Sequence, residues 1–385
     1  MKATSRKAFM SKIKRVVIKI GSSVLTDENG EIEDSAFYEV AGGISKLKSK
    51  KIETVVVSSG AIASGMKKLG LKKKATDVSM KQAIAACGQS ALMWNYERAF
   101  SEFGERVAQI LLTHDGLSDR RRFLNARKTL LTLLRIGIIP IINENDTVAV
   151  EEIMFGDNDN LAALVTSLIE ADLLVLLTNI DGLYTNDPRN HRDAEFIPLI
   201  NEIDKEVQKM AGETFGKTTT GGMKTKIEAA KAAAAFGVPT IIANGKKQSA
   251  LASIFSGEII GTLFIPSKER IRGRKHWIAF TLKPSGDLVI DNGARKAIAT
   301  LGKSLLPSGI VRVKGNFELG EAVRCIDENG SEIARGLASY GADEIRKIVG
   351  AKSTSIEGIL GYKYGDEIIH RDDLVVILKE KSELI

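Results

Sequence analysis

The sequence predicts an α/β architecture: an open, mainly parallel sheet sandwiched by helices, followed by a small C-terminal β-barrel domain. Three observations carry this. Short apolar runs alternate with long helical patterns through the first two thirds of the chain, and runs apolar throughout mark strands buried on both faces, as in parallel sheets. Most of these runs lead into Gly, Ser, Thr, Asn or Asp, and ligands of such sheets sit at the carboxyl ends of the strands. After about residue 262, short strands follow one another, separated by Pro-Ser-Gly, Asp-Asn-Gly and Glu-Asn-Gly turns, the pattern of a small antiparallel barrel.

Residues 1–14 are basic and lack acids. They also lack the apolar core of a secretory signal, and they read as a solvated extension. The strands of the first domain are expected at Val16–Ile20, Val55–Val57, Val107–Leu112, Ile138–Ile142, Leu173–Leu177 and Thr240–Ile242. Helical patterns between them cover Ser35–Lys50, Lys81–Phe103, Arg121–Arg135, Asn160–Ile169 and Lys224–Phe236. This places one domain over residues 15–267 and a charged linker over 268–275. The second domain and its tail occupy 276–385, with strands at Trp277–Leu282, Asp287–Asp291, Ile310–Lys314, Ala322–Ile326 and Ile333–Leu337 and one helix, Ala342–Val349.

Composition narrows the function. Residues 271–385 hold 18 basic and 16 acidic residues, against 55 and 48 in all 385. Neither part has the concentrated basic character of a dedicated nucleic-acid binder. Cys87 and Cys325 are the two cysteines, which speaks against a disulfide framework and for a reducing cytoplasm. The four histidines show no metal-ligand spacing. No apolar run reaches the length of about 18 residues that spans a membrane.

Six segments can carry chemistry. Pro140-Ile141-Ile142-Asn143-Glu144-Asn145-Asp146 passes from apolar to polar at a strand end, and Gly156-Asp157-Asn158-Asp159-Asn160 opens a helix. Carboxamides beside carboxylates donate and accept hydrogen bonds, which suits a zwitterion such as an amino acid; turn and cap roles are the alternative. Lys19 lies inside an apolar strand ahead of Gly21. A lysine there either meets an anion or carries its head out to water. Ser58-Ser59-Gly60-Ala61 precedes a helix and reads as an anion turn or as a simple cap. Thr218-Thr219-Thr220-Gly221-Gly222-Met223-Lys224-Thr225-Lys226 opens a long Ala-rich helix; hydroxyls, glycines and lysines at a helix start make an anion site, or a Gly-rich loop with solvated lysines. Tyr184, after the Leu173–Leu177 strand, can stack on a nucleobase or pack on the core.

Together these segments resemble the amino-acid kinase family, which phosphorylates carboxylates and other acidic groups with ATP. Leu183-Tyr184-Thr185-Asn186-Asp187-Pro188-Arg189 and Gly221–Lys226 look like its nucleotide-side motifs. A second set is similar to the branch that acts on the γ-carboxylate of L-glutamate at the entry to proline biosynthesis. That set is Ile18–Ser23, Ser58–Ala63, Arg122–Arg127, Asn143–Asp146 and Gly156–Asn160. The likeness runs from about Arg15 to Phe264, and Trp277 to about Val349 looks like the bulk of a PUA domain. Two departures stand on the nucleotide side. Thr178-Asn179 replaces the family's Thr-Asp, and Thr219-Thr220-Gly221-Gly222 replaces Gly-Thr-Gly-Gly.

The resemblance implies roles. Lys19 would bridge the β and γ phosphates, Lys226 would neutralise the leaving oxygen, and Asp159 would hold both lysines. Gly21 and Gly60 would offer backbone N–H groups to the transferring phosphoryl. Ser59, Asp146 and Asn158 would bind glutamate, with Asp146 facing its ammonium group. Thr178, Asn179 and the run Thr220, Gly221, Gly222, Met223, Lys224, Thr225 and Lys226 would line the ATP site. Mg2+ would be held largely by the phosphates rather than by the chain. It further implies a homo-oligomer, feedback by proline, and hand-over of product to a glutamyl phosphate reductase. The alternatives are a kinase of another carboxylate, such as aspartate or N-acetylglutamate, and an RNA-binding protein acting through the PUA-like domain.

Overall fold

In the computed structural model the chain forms two compact units, Met1–Arg270 and Ile271–Ile385. The structure describes residues 3–72, 75, 77–118, 120–148, 158–213, 222–266, 282 and 284–377. The expected linker at 268–275 and most of the expected Trp277–Leu282 strand lie outside them.

The first unit begins with α1 (Ala3–Met10), β1 (Arg15–Ile20), the short α2 (Ser22–Leu25) and α3 (Asp34–Ser49). It continues through β2 (Glu53–Ser58), α4 (Ala61–Leu69), α5 (Val78–Ser101), β3 (Val107–Leu112), α6 (His114–Ser118), α7 (Arg120–Arg135) and β4 (Ile139–Glu144). Then come α8 (Asn158–Leu168), β5 (Leu173–Thr178), β6 (Leu183–Tyr184), β7 (Phe196–Ile197), β8 (Leu199–Ile200) and α9 (Lys205–Glu213). The unit closes with α10 (Met223–Ala235), β9 (Thr240–Asn244), α11 (Ala250–Ser256) and β10 (Thr262–Phe264).

Eight strands form one sheet in the order β3-β4-β2-β1-β5-β9-β10-β8. All pairings are parallel except β10 with β9. Strand alternation sends successive side chains to opposite faces. Val16, Ile18 and Ile20 of β1, with Val56 of β2 and Ile139 and Ile141 of β4, join α3 and α5 in one apolar core. The other face carries Val17 and Lys19 and is covered by α8 and α10, which pack on β1, β5 and β9 and on each other. Register aligns Ile20 with Ser58 and Leu177, and Thr178 with Asn244. The polar ends of the strands therefore converge on one edge.

The solvated reading of residues 1–14 is corrected. Met10 and Ile13 are buried in the core and the buried Arg6 guanidinium donates to the Ile260 carbonyl at 2.6 Å. Apolar residues spaced along one face of α1 dock it on α11 despite its basic composition.

Helices α4 and α5 touch backbone to backbone. A Cβ added at Gly88 would lie 1.9 Å from the Ala61 carbonyl oxygen, and one at Gly65 2.0 Å from that of Ile84. Neither contact can be relieved by turning a side chain. Gly88→Ala is expected to destabilise the unit by about 3 kcal/mol, at the upper end of overpacking costs. The check is a lower denaturant midpoint at unchanged slope.

The second unit holds β11 (Gly286–Ile290), α12 (Asn292–Ala299), β12 (Ile310–Gly315), β13 (Ala322–Ile326), β14 (Glu332–Leu337), α13 (Ala342–Ile348), α14 (Ile356–Leu360) and β15 (Leu374–Val376). Its sheet runs β12-β11-β13-β14-β15, antiparallel except for the β11–β13 pair. The expected single helix is corrected to several. Asp291-Asn292-Gly293 is not a hairpin turn: the Asp291 carboxylate accepts from the Ala294 N–H at 2.7 Å and caps α12. Among the described residues no helix is long and apolar enough to cross a membrane.

Candidate active site

Lys19 reaches the site because strand alternation turns it away from Ile18 and Ile20, toward the starts of α8 and α10. There its ammonium lies 2.7 Å from Asp159 Oδ1. Lys226, one turn into α10, lies 3.2 Å from Asp159 Oδ2, and the Thr225 hydroxyl donates to the same oxygen at 2.8 Å. The Asp159 side chain is fully buried and both lysine side chains are 5% exposed. Burial alone would raise the Asp159 carboxyl. The charges of Lys19 and Lys226, with hydrogen bonds from Lys19 and Thr225, outweigh it and hold the group at about 2. Lys226 is shifted downward: burial and the repulsion of Lys19 outweigh the attraction of Asp159. Two buried cations thus share one carboxylate, and their mutual repulsion makes this a strongly positive pocket. Such a pocket calls for an anion.

A second cluster lies on the α5 side. Asn158 Nδ2 donates to Ser59 Oγ at 3.1 Å, to Asn143 Oδ1 at 3.1 Å and to the Ser58 carbonyl at 3.4 Å. Asn143 Nδ2 donates in turn to Gln89 Oε1 at 2.8 Å. The Ser58 carbonyl can only accept, and this sets the polarity of the chain of amides. Among the described residues it leaves Asn158 Oδ1 as an unmet buried acceptor and Gln89 Nε2 as an unmet buried donor. Asp146 follows β4 and is half buried; burial pushes its carboxyl up to about 6. Donors and an acceptor in the amide cluster, and a carboxylate two residues past the end of β4, are the groups that the two ends of an amino acid require.

The remaining expected residues divide. Gly60 precedes α4 with φ +115°, a conformation that favours glycine, and no described group pairs with its N–H. Gly21 is a correction: its N–H donates to the Leu177 carbonyl at 3.0 Å and is not offered to a ligand. Its value is closeness, since a Cβ there would stand 3.2 Å from that carbonyl and 3.9 Å from Lys19 Nζ. Thr178 is buried and Asn179 exposed, 3.4 Å apart through Thr178 Oγ1 and Asn179 Oδ1. Gly222 stands at the start of α10, Met223 is in the core and Lys224 is exposed. Thr220, Gly221, Gly156 and Asp157 lie outside the described residues. Tyr184 packs edge-on to Phe196, ring centroids 5.5 Å apart. Asn143 belongs to the Asn143–Asp146 segment singled out from the sequence but carried no individual role there, and Gln89 was not singled out. Asn143 had a signal: with Ile139 and Ile141 it keeps the period-2 spacing of β4. Gln89 had none, because α5 shows no clear amphipathic stripe.

The amino acid kinase family profile matches residues 14–244, and the PUA domain profile matches 286–360. A glutamate 5-kinase of Geobacter sulfurreducens is 55% identical over 372 residues, covering 97% of this chain and 100% of the relative. One of Caldanaerobacter subterraneus is 52% identical over 363 residues, covering 94% and 98%. Among solved structures, the carbamate kinase of Giardia lamblia bound to AMP-PNP matches 67% of this chain and 100% of its own, at 16% identity and TM-score 0.49. With buried lysines meeting one carboxylate where two helices start, and likeness sustained along both units, the chain belongs to the glutamate 5-kinase family: an amino acid kinase unit followed by a PUA domain.

Proposed function

We propose that this chain transfers the γ-phosphoryl group of ATP to the γ-carboxylate of L-glutamate, giving γ-glutamyl phosphate and ADP, the first step of proline biosynthesis. The observation that carries the reading is the Lys19–Asp159–Lys226 arrangement. Phosphoryl transfer asks the protein for alignment and charge neutralisation rather than covalent chemistry. Lys19 meets the phosphates from the strand side and Lys226 from the start of α10, while Asp159 keeps the ammonium groups apart and aimed. The acceptor carboxylate is ionised at neutral pH, so no side chain need act as a base. The amide cluster and Asp146 hold the amino-acid end. Mg2+ would be held largely by the phosphates of the nucleotide. Asp159 is committed to two lysines and a threonine, and among the described residues no cluster of His, Cys, Asp and Glu could hold a metal ion. The ion would arrive on the nucleotide. The product is a reactive mixed anhydride, which supports a reductase as the next enzyme.

ADP release measured with L-glutamate, L-aspartate and N-acetylglutamate, with hydroxylamine to trap the acyl phosphate, tests the reading. Activity confined to either of the other two acceptors would overturn it. A pH profile tests the role of Asp146. Its carboxyl sits at about 6 through burial, and it must be ionised to receive the substrate ammonium. Protonation below that pH should lower kcat/KM for glutamate about tenfold per unit, whereas kcat falls later because the bound ammonium favours the charged form. Asp146→Asn should remove this acidic limb and raise KM for glutamate strongly, with KM for ATP near normal.

A further inference from the structure

Tyr96 of α5 is fully buried, with Phe37 edge-on at 4.9 Å and Phe100 stacked at 6.3 Å between ring centroids. Its hydroxyl lies 2.7 Å from Ser58 Oγ, and Ser58 Oγ lies 2.8 Å from the Ser59 carbonyl oxygen. The directions follow. A carbonyl only accepts, so the single Ser58 proton goes to Ser59 O, and the Tyr96 hydroxyl must donate to Ser58. Burial pushes the phenol up, so its proton is retained at any working pH. A one-way relay runs from Tyr96 through Ser58 to the Ser59 carbonyl.

That carbonyl belongs to the Ser59–Gly60 peptide. The peptide is planar and trans, so its C=O and N–H point in opposite directions. Pinning Ser59 O toward the buried hydroxyls turns the Gly60 N–H the other way, out of the core. The rest of the turn is also tied down: the Ser59 N–H donates to Ile20 O at 3.0 Å, and the Ser59 hydroxyl accepts from Asn158. The Gly60 N–H is left with no partner among the described residues. A donor held in place before the reaction needs no reorganisation as charge develops.

We propose that Tyr96 is a positioning residue of the phosphoryl-transfer step: through Ser58 it holds the Ser59–Gly60 peptide so that the Gly60 N–H faces the group in transfer. This rests on the function proposed above. Sequence reading passes over Tyr96, which lies in the middle of a helix and far from every motif.

Tyr96→Phe removes one oxygen and keeps the ring between Phe37 and Phe100. Turnover is expected to fall about tenfold, less than the hundredfold typical of deleting such a donor outright, with KM for glutamate and for ATP each within about twofold. Ser58→Ala breaks the relay at its other link and stands in if Tyr96→Phe does not fold. The double variant should lose no more than the worse single variant, because both cut one path. The amide resonance of Gly60 in 15N-labelled protein gives a readout besides activity: adding MgADP, tetrafluoroaluminate and glutamate should move it in the parent and clearly less in Tyr96→Phe. Unchanged turnover in a folded Tyr96→Phe, or multiplying losses in the double variant, overturns the role of Tyr96 and leaves the function standing. A parent protein that forms no ADP with glutamate overturns the proposed function, and this inference with it.

Discussion

Lys19→Met and Lys226→Met are each expected to lower turnover at least about a hundredfold, the usual scale for losing one charge-stabilising donor. The loss should appear in kcat more than in KM for glutamate, since both ammonium groups lie at the shared carboxylate and not among the amides around Ser59 and Asn158. Stability should change little. Removing one lysine leaves Asp159 paired with the other and relieves the repulsion between the two ammonium groups. A variant that melts like the parent and keeps more than a tenth of its turnover would remove that lysine from the assignment. The geometry adds a pH expectation for Lys226. Burial shifts its ammonium downward, so turnover should decline on the alkaline side earlier than for an ordinary lysine.

Asp159→Asn should do the reverse to stability. It leaves two buried ammonium groups without the carboxylate they share, and removing one partner of a buried ion pair costs about 3–5 kcal/mol. Turnover should fall as well, because the lysines lose the group that spaces and aims them. The two effects separate in the double variant Asp159→Asn with Lys226→Met. One buried cation is then gone, so much of the lost stability should return, while turnover stays as low as in Lys226→Met alone. The measurements are thermal melting and glutamate-dependent ADP formation on all four proteins. Stability that fails to recover in the double variant would show that Asp159 matters for packing at the start of α8 rather than for its charge.

Much of this is legible in the sequence itself. Continuous apolar runs such as Leu173–Leu177 can only be strands buried on both faces, and the polar residues at their ends mark the edge where ligands sit. Lys19 was visible as a charge inside such a run, and Thr225 and Lys226 as the opening of a helix. The local code also failed in ways that have causes. The basic residues of α1 concealed Met10 and Ile13, because which face of a short helix is covered depends on what lies opposite. Asp-Asn-Gly at 291–293 suits a hairpin and a helix cap equally, and the chain that follows decided for the cap.

The sequence by itself determined the order of elements, the edge of the sheet that carries the site and the residue types available there. Tertiary structure alone decided who meets whom. Asp159 stands 140 residues from Lys19 and 67 from Lys226, and only the packing of α8 and α10 on one face of the sheet brings the three together. The opposite face decided the fate of Gln89, Asn143, Ser58 and Tyr96. Strand alternation turns Ser58 and Asn143 toward α5, and the glycine contact of α4 on α5 sets how closely that helix approaches. Gly21 shows the same point in reverse: glycine before a helix suggests an anion cradle, but a neighbouring strand offers the Leu177 carbonyl first. Hydrogen bonds and ion pairs form at distances of about 3 Å, and that precision comes from the packed layers, which no local pattern encodes.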